Sequence, residues 1–215
     1  NKIEMEEYLK KINNFLNKED PNIELISEPK IDGISATLIY KNGILTTGFD
    51  LSNLRMDAFV QMGGTPVASI AEVGNNSDAV FVMVMNGEQA KSVILGENGL
   101  ASHMSKGGAV LLTATIKPLE AREIDTALQG SGVHLIDSPV SGGFPRAQNG
   151  TLTMMAAAAS DVLDKYATIM ESVSSTIHRV GTHAGEGQVM KSCLQTLIGS
   201  IFGATFEAAA LAAKA

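Results

Sequence analysis

The chain has 215 residues, enough for one large domain or for one domain joined to a fragment. Hydrophobic residues at 45% and charged residues at 18% describe a chain well able to bury a core. The formal charge of -7 argues against nucleic acid as a general partner, since that attraction needs a positive face. Cys193 is the single cysteine, which excludes an internal disulfide and suits a reducing cytoplasm. No unbroken apolar run reaches the ~18 residues that cross a bilayer and no signal-peptide pattern opens the chain, so a membrane is not expected as a partner. Asn1 in place of Met, and a helical pattern still running at Ala215, give the expectation that both ends are cut.

Residues 3–17 place Ile3, Tyr8, Leu9, Ile12, Phe15 and Leu16 among Glu, Lys and Asn, the spacing of an amphipathic helix that ends before Pro21. Three runs of strand character follow at 23–29, 34–40 and 43–49. Asn42-Gly43 joins the last two, and that dipeptide between strands predicts a hairpin. From Asp50 the texture changes. Strands are expected near 65–69, 79–84, 108–113, 133–137, 151–157 and 175–180, with helices near 53–62, 87–95, 117–129, 160–171 and 185–214. Such alternation argues an α/β layer with a mostly parallel sheet and helices on both faces. The alanine-rich stretch from Ala204 to Ala215 is strongly helical by propensity.

Three phrases carry chemistry. Asp137-Ser138-Pro139-Val140-Ser141-Gly142-Gly143 ends a strand in a turn that bares backbone N–H groups, a setting that binds a carboxylate. Gly150-Thr151-Leu152-Thr153-Met154 follows it. Then Gly185-Glu186-Gly187 opens a helix with Lys191 in its first turns, where an ammonium inside a cleft is disfavoured and can exchange a proton. Together these phrases resemble the β-hydroxyacid dehydrogenases, the 3-hydroxyisobutyrate and threonate type, over about 48–215. The resemblance implies a Rossmann-like doubly wound sheet and NAD-dependent hydride transfer from a small 3-hydroxy acid. It implies Lys191 as acid/base and Ser141, Gly142 and Gly143 as the substrate-carboxylate clamp. The family asparagine one turn beyond the lysine is Gln195 here, an amide with one more methylene of reach.

For the cofactor the resemblance implies Asp50 at the ribose hydroxyls, favouring NAD over NADP, with Met85, Asn86 and Thr115 along the dinucleotide. Read alone, Asp50 is equally a helix cap before Ser52 and Asn53, Asn86 a turn residue and Thr115 a cap. Ala114 replaces the serine usual before that threonine. Cys193 is expected to pack on another face of its helix. His103, His134, His178 and His183 show no metal-ligand spacing, and no metal is expected. The resemblance also implies oligomers.

The front of the chain departs from that family. A Gly-x-Gly-x-x-Gly loop is due about 25 residues before Asp50 to hold the pyrophosphate, and Glu28-Pro29-Lys30-Ile31-Asp32-Gly33-Ile34-Ser35-Ala36 stands there instead. With the hairpin after it, this phrase resembles the adenylation domain of bacterial NAD-dependent DNA ligases over about 4–48. That likeness implies Lys30 as the nucleophile toward the adenylyl phosphorus, Glu28 beside the adenine and Asp32 beside the ribose. The ligase family's later lysine and arginine motifs do not follow. The expected organisation is a ligase-like fragment at 1–48, a Rossmann-like domain without its usual first β-α unit at 49–184, and the first helix of an all-α domain at 185–215. Three functions are therefore expected in competition: an impaired hydroxyacid dehydrogenase, a fragment adenylated at Lys30, and an inactive fusion.

Overall fold

A computed structural model describes Tyr40–Lys41, Ile44–Leu45 and residues 47–214. The predicted helix 3–17, the strand at 23–29 and the trio Glu28, Lys30 and Asp32 lie outside the described residues. The chain divides into two compact units. Lys30–Gln195 forms one, and the outer part of the last helix, from Thr196, belongs to the other.

Within the larger unit, β1 (Tyr40–Lys41) and β2 (Ile44–Leu45) pair antiparallel, with Lys41 opposite Ile44, as the Asn42-Gly43 signal predicts. The next strand does something different. β3 (Thr47–Gly48) pairs parallel with β4 (Thr65–Pro66), and the helix Asn53–Gln61 connects them in a β-α-β crossover. The expected strand 43–49 thus contains two short strands, Ile44–Leu45 and Thr47–Gly48, with different partners.

The main sheet runs β10 (Ser174–Gly181), β9 (Leu152–Ala157), β7 (His134–Asp137), β6 (Ala109–Leu112), β5 (Ala79–Val82). A short β8 (Val140–Ser141) pairs antiparallel with β9. β5, β6 and β7 are parallel, β9 returns antiparallel beside the end of β7, and β10 is parallel to β9. Within the described residues the β3–β4 pair and this sheet remain two separate hydrogen-bonded sheets.

Period-two alternation sorts the strands into two cores. Val80, Val82, Val110, Leu112 and Leu135 face one side, against Val73, Ala90, Ile94, Leu100, Ala121, Ile124 and Leu128. These come from the helices Ile70–Asn75, Gly87–Leu95, Leu100–His103 and Pro118–Leu128. Phe49 and Val67, beside the β3–β4 pair, pack on this same core. Ala79, Phe81, Ala109, Leu111 and Ile136 face the other side, against Val162, Leu163, Tyr166 and Met170 of Ser160–Lys165 and Ala167–Glu171. At ~2 kcal/mol for each large buried aliphatic, these layers dominate the stability of the unit.

The structure differs from expectation at short elements. The helix predicted at 160–171 is broken at Tyr166, whose φ of -103° and ψ of 11° leave the helical range. Ile70–Asn75 was hidden by its six-residue length, although Ser69 is a good N-cap: Ser69 Oγ accepts the Glu72 N–H at 3.2 Å, and the Glu72 carboxylate accepts the Ala68 N–H at 2.9 Å. Gly143–Gln148 was masked by its glycine and by Pro145, which sits in a first turn where no N–H is needed.

The helix Glu186–Lys214 holds no unbroken apolar run of the length that crosses a bilayer. By length and composition it is apolar enough to cross a membrane, because Ser, Thr, Gly and Gln average into an apolar window without breaking it. Its first turns are those of a packed helix, since Gly187, Gln188 and Lys191 are buried.

Candidate functional site

The carboxyl ends of parallel strands leave loops that face one way, the usual place for a ligand in such sheets. After β5 the chain runs through Met83–Asn86, after β6 through Thr113–Lys117, and after β7 through Ser138–Pro139 into β8. The first two loops meet. Met85, Asn86 and Thr115, with Gly87, Glu88, Ile116, Lys117 and Glu120, line an open cleft of about 370 Å³. All three residues expected along the dinucleotide are therefore together and exposed. Asn86 also caps its helix, its Oδ1 accepting the Gln89 N–H at 2.9 Å, so its turn role is real. Behind Thr115 the loop is pinned to β5: Val82 O accepts the Thr113 N–H at 3.0 Å, the Ala114 N–H at 3.2 Å and the Thr113 hydroxyl at 3.1 Å.

Asp50 follows the carboxyl end of β3 and is buried, outside the lining of that cleft. Its Oδ1 accepts the Ser52 N–H at 2.7 Å and its Oδ2 meets Arg55 Nη1 at 3.5 Å. This is an Asx turn, the turn role that Ser52 and Asn53 foreshadow; the cap of the helix itself is Ser52, without a side-chain cap bond.

Ser141 ends β8 opposite Thr153, and the chain turns at once into Gly143–Gln148. Gly142 has φ +138° and Gly143 φ +65°, conformations that side-chain-bearing residues rarely adopt. A Cβ on Gly142 would also stand 2.7 Å from Arg146 Cβ. The turn that bares these N–H groups therefore requires both glycines.

The strongest constellation was only partly legible in the sequence. Asp137, at the end of β7, is completely buried. Its Oδ2 accepts the N–H of Gly185 at 2.8 Å and of Gln188 at 3.2 Å, and its Oδ1 accepts Gln188 Nε2 at 2.8 Å. The carboxylate thus caps the start of Glu186–Lys214 from across the fold, where the helix presents unpaired N–H groups and a positive dipole end. Burial pushes its pKa up from the ordinary carboxylate value, and these hydrogen bonds oppose that rise. Gly187 makes the contact feasible: a Cβ there would lie 2.6 Å from Met155 O and 2.8 Å from Asp137 O.

Lys191 follows on this anchored helix with 8% exposure, and among the described residues it makes no hydrogen bond or ion pair. Burial alone lowers its pKa from the ordinary lysine value. A lowered folded value gives stability that is present above the unfolded pKa of ~10.4 and lost as pH falls through the folded value. Lys191→Met is accordingly expected to raise the melting temperature at pH 7 by roughly 2 °C, with the gain shrinking as pH rises from the folded value toward ~10.4 and gone above it. Differential scanning fluorimetry across pH checks this; a lower melting temperature at pH 7 would contradict the partnerless state. Gln195, one turn on, is exposed. Cys193 is exposed too, which corrects the expectation that it packs: its helix face has no described neighbour. Among the described residues no cluster of His, Cys, Asp or Glu has the geometry of a metal site.

Comparison with known proteins agrees with this architecture. Residues 34–181 match the model of the NAD binding domain of 6-phosphogluconate dehydrogenase. A match to the NAD-dependent DNA ligase adenylation domain is confined to residues 1–54. The chain is 37% identical over 185 residues to an L-threonate dehydrogenase of Escherichia coli, covering 85% of this chain and 61% of that protein. It is 34% identical over 176 residues to an NAD-dependent L-serine dehydrogenase of Pseudomonas aeruginosa, covering 82% and 59%. Among solved structures, a 3-hydroxyisobutyrate dehydrogenase from Salmonella typhimurium superposes with a TM-score of 0.71 at 32% identity, over 78% of this chain and 59% of that one. The chain spans about three fifths of the length of these relatives. With an α/β layer of this topology and a family model matched across it, the chain belongs to the family of the NAD-binding domain of 6-phosphogluconate dehydrogenase.

Proposed function

We propose that the chain is the dinucleotide-binding part of an NAD-dependent β-hydroxyacid dehydrogenase whose turnover is impaired. The observation that carries this reading is Lys191: a buried amine, without a hydrogen bond or ion pair among the described residues, on a helix locked to the end of β7. The cofactor fit is partial. The cleft of Met85, Asn86 and Thr115 lies at strand carboxyl ends, where a nicotinamide would be held, while Asp50, assigned to a ribose by the resemblance, is buried and engaged by Ser52 N–H and Arg55. NAD is favoured over NADP because Asp50 would repel the additional phosphate. The pyrophosphate cradle has no counterpart, since no Gly-x-Gly-x-x-Gly precedes Asp50.

When bound, the nicotinamide accepts a hydride. The chain's own residues do the rest. Ser141 with the N–H groups of Gly142 and Gly143 grips the substrate carboxylate, and Gln195 contacts the rest of a small hydroxy acid. Lys191 Nζ, whose ammonium form burial disfavours, is the group that takes the hydroxyl proton as the carbonyl forms. Threonate, 3-hydroxyisobutyrate and serine are the substrate classes to test, after the relatives' names. The domain division 1–48, 49–184 and 185–215 is part of this reading, although the change of strand partner falls before Thr47 rather than after Gly48. A cytoplasmic setting and self-association complete it; exposed Leu197, Ile201, Phe202 and Phe206 on the last helix support the latter.

The test is NAD reduction, followed by absorbance, with the three acids and with Lys191→Met as control. Slow turnover that the variant abolishes is expected. Robust turnover would sink the impairment, and turnover indifferent to Lys191 would sink the site. The match of residues 1–54 favours a second reading, adenylation of Lys30 by NAD. Intact-mass measurement after incubation with NAD decides it: an added AMP that Lys30→Ala removes would establish it.

A further inference from the structure

We propose that Gln188 is a positioning residue, clamping the loop that presents Thr115 to the helix that carries Lys191, so that the two keep one fixed separation. The inference rests on the roles of Thr115 and Lys191 proposed above. Gln188 is completely buried, and its carboxamide is fully used. Nε2 donates to Ala114 O at 3.1 Å and to Asp137 Oδ1 at 2.8 Å, while Oε1 accepts the Ile116 N–H at 3.0 Å. Ala114 and Ile116 are the two chain neighbours of Thr115. The side chain therefore grips the backbone on both sides of that threonine and leaves Thr115 itself facing the cleft.

A merely structural anchor for the helix would not need this reach. Asp137 already receives the N–H groups of Gly185 and Gln188, which fixes the helix start without any side chain of Gln188. The carboxamide adds a tie between the loop after β6 and the helix, and Lys191 is three residues further along that helix. The amide cannot flip, because the reversed group would set oxygen against Ala114 O and nitrogen against the Ile116 N–H. Methionine has neither donor nor acceptor of this kind. An ionised glutamate would face both Ala114 O and the Asp137 carboxylate with acceptors only.

The experiment compares the full chain with Gln188→Met by two readings that need neither NAD nor turnover. One is the exchange rate of the Ile116 amide. The other is the titration of Lys191, followed by NMR of ¹³C-dimethylated lysines and assigned by its loss in Lys191→Met. In Gln188→Met we expect Ile116 to exchange at least ~10-fold faster, and the Lys191 midpoint to move up toward the ordinary lysine value. A lowered melting temperature with both readings unchanged would reduce Gln188 to a structural residue and overturn the proposal. Should Gln188→Met not fold, Gln188→Asn decides in the same way, since it keeps an amide but falls one methylene short of the loop. Loss of the dehydrogenase reading, through turnover indifferent to Lys191→Met, leaves both readings intact and so is told apart from failure of the clamp.

Discussion

Gly187→Ala is expected to destabilise the larger unit by about 3–4 kcal/mol, seen as a large fall in the urea midpoint. The sign is not obvious, since alanine in a helix interior gains about 1 kcal/mol over glycine. Geometry decides against it. The added methyl would meet Met155 O at 2.6 Å, Asp137 O at 2.8 Å and Asp137 Oδ2 at 3.0 Å. Two of these are backbone oxygens at the ends of β9 and β7, which cannot rotate away as a side chain can. The helix must therefore retreat, and the bonds from Gly185, Gln188 N–H and Gln188 Nε2 to Asp137 stretch together. Each buried donor so exposed to an empty partner costs about 1–3 kcal/mol, which outweighs the propensity gain. Gly199, on the same helix with open space where its Cβ would be, is the control. Gly199→Ala should stabilise by up to ~1 kcal/mol. If the two variants shift the midpoint alike, the close approach at Gly187 is not what holds the helix start.

How far such a contact could be read from sequence alone depends on range. The Gly-x-Gly before Lys191 was visible and gave the helix start, but not the reason for the second glycine. That reason is a carbonyl on β9 and a carboxylate on β7, the latter 50 residues earlier in the chain. Asp137 likewise stood out as the end of a strand before Ser138-Pro139, while its role as a cap for a distant helix depends on tertiary packing. Gln188 went unnoticed: a glutamine at a helix start is ordinary, and only burial with three side-chain bonds marks it out. The main sheet, in contrast, was legible strand by strand, because runs such as Ala79–Val82 and Ala109–Leu112 are apolar on both faces, as central parallel strands require. The strand at 43–49 was not. Its residues fit either sheet, and only the pairing shows that Ile44–Leu45 turns back on Tyr40–Lys41 while Thr47–Gly48 joins Thr65–Pro66.

Asp137→Asn is expected to cost about 2–3 kcal/mol near pH 4, although it changes no volume. The carboxyl group accepts from three donors, Gly185 N–H, Gln188 N–H and Gln188 Nε2, through two oxygens, which keep accepting lone pairs when the group is protonated. Asparagine offers one oxygen and one nitrogen, so either the helix N–H groups or Gln188 Nε2 must face an N–H group. Gln188 cannot accommodate this by turning over, because Ala114 O and the Ile116 N–H fix its orientation. The pH dependence adds a second handle. Burial raises the folded pKa of Asp137 above the unfolded value of ~3.9. A group raised in this way gives stability that is fully present below the unfolded value and is lost as pH climbs through the folded one. The natural chain should lose that increment between pH ~4 and its raised value, while the asparagine variant has nothing at this position to titrate. The gap between the two, measured by urea unfolding from pH 4 to 7, should accordingly narrow as pH rises. A gap that widens instead would mean that the three donors outweigh burial, and the carboxylate would then be a net source of stability at neutral pH.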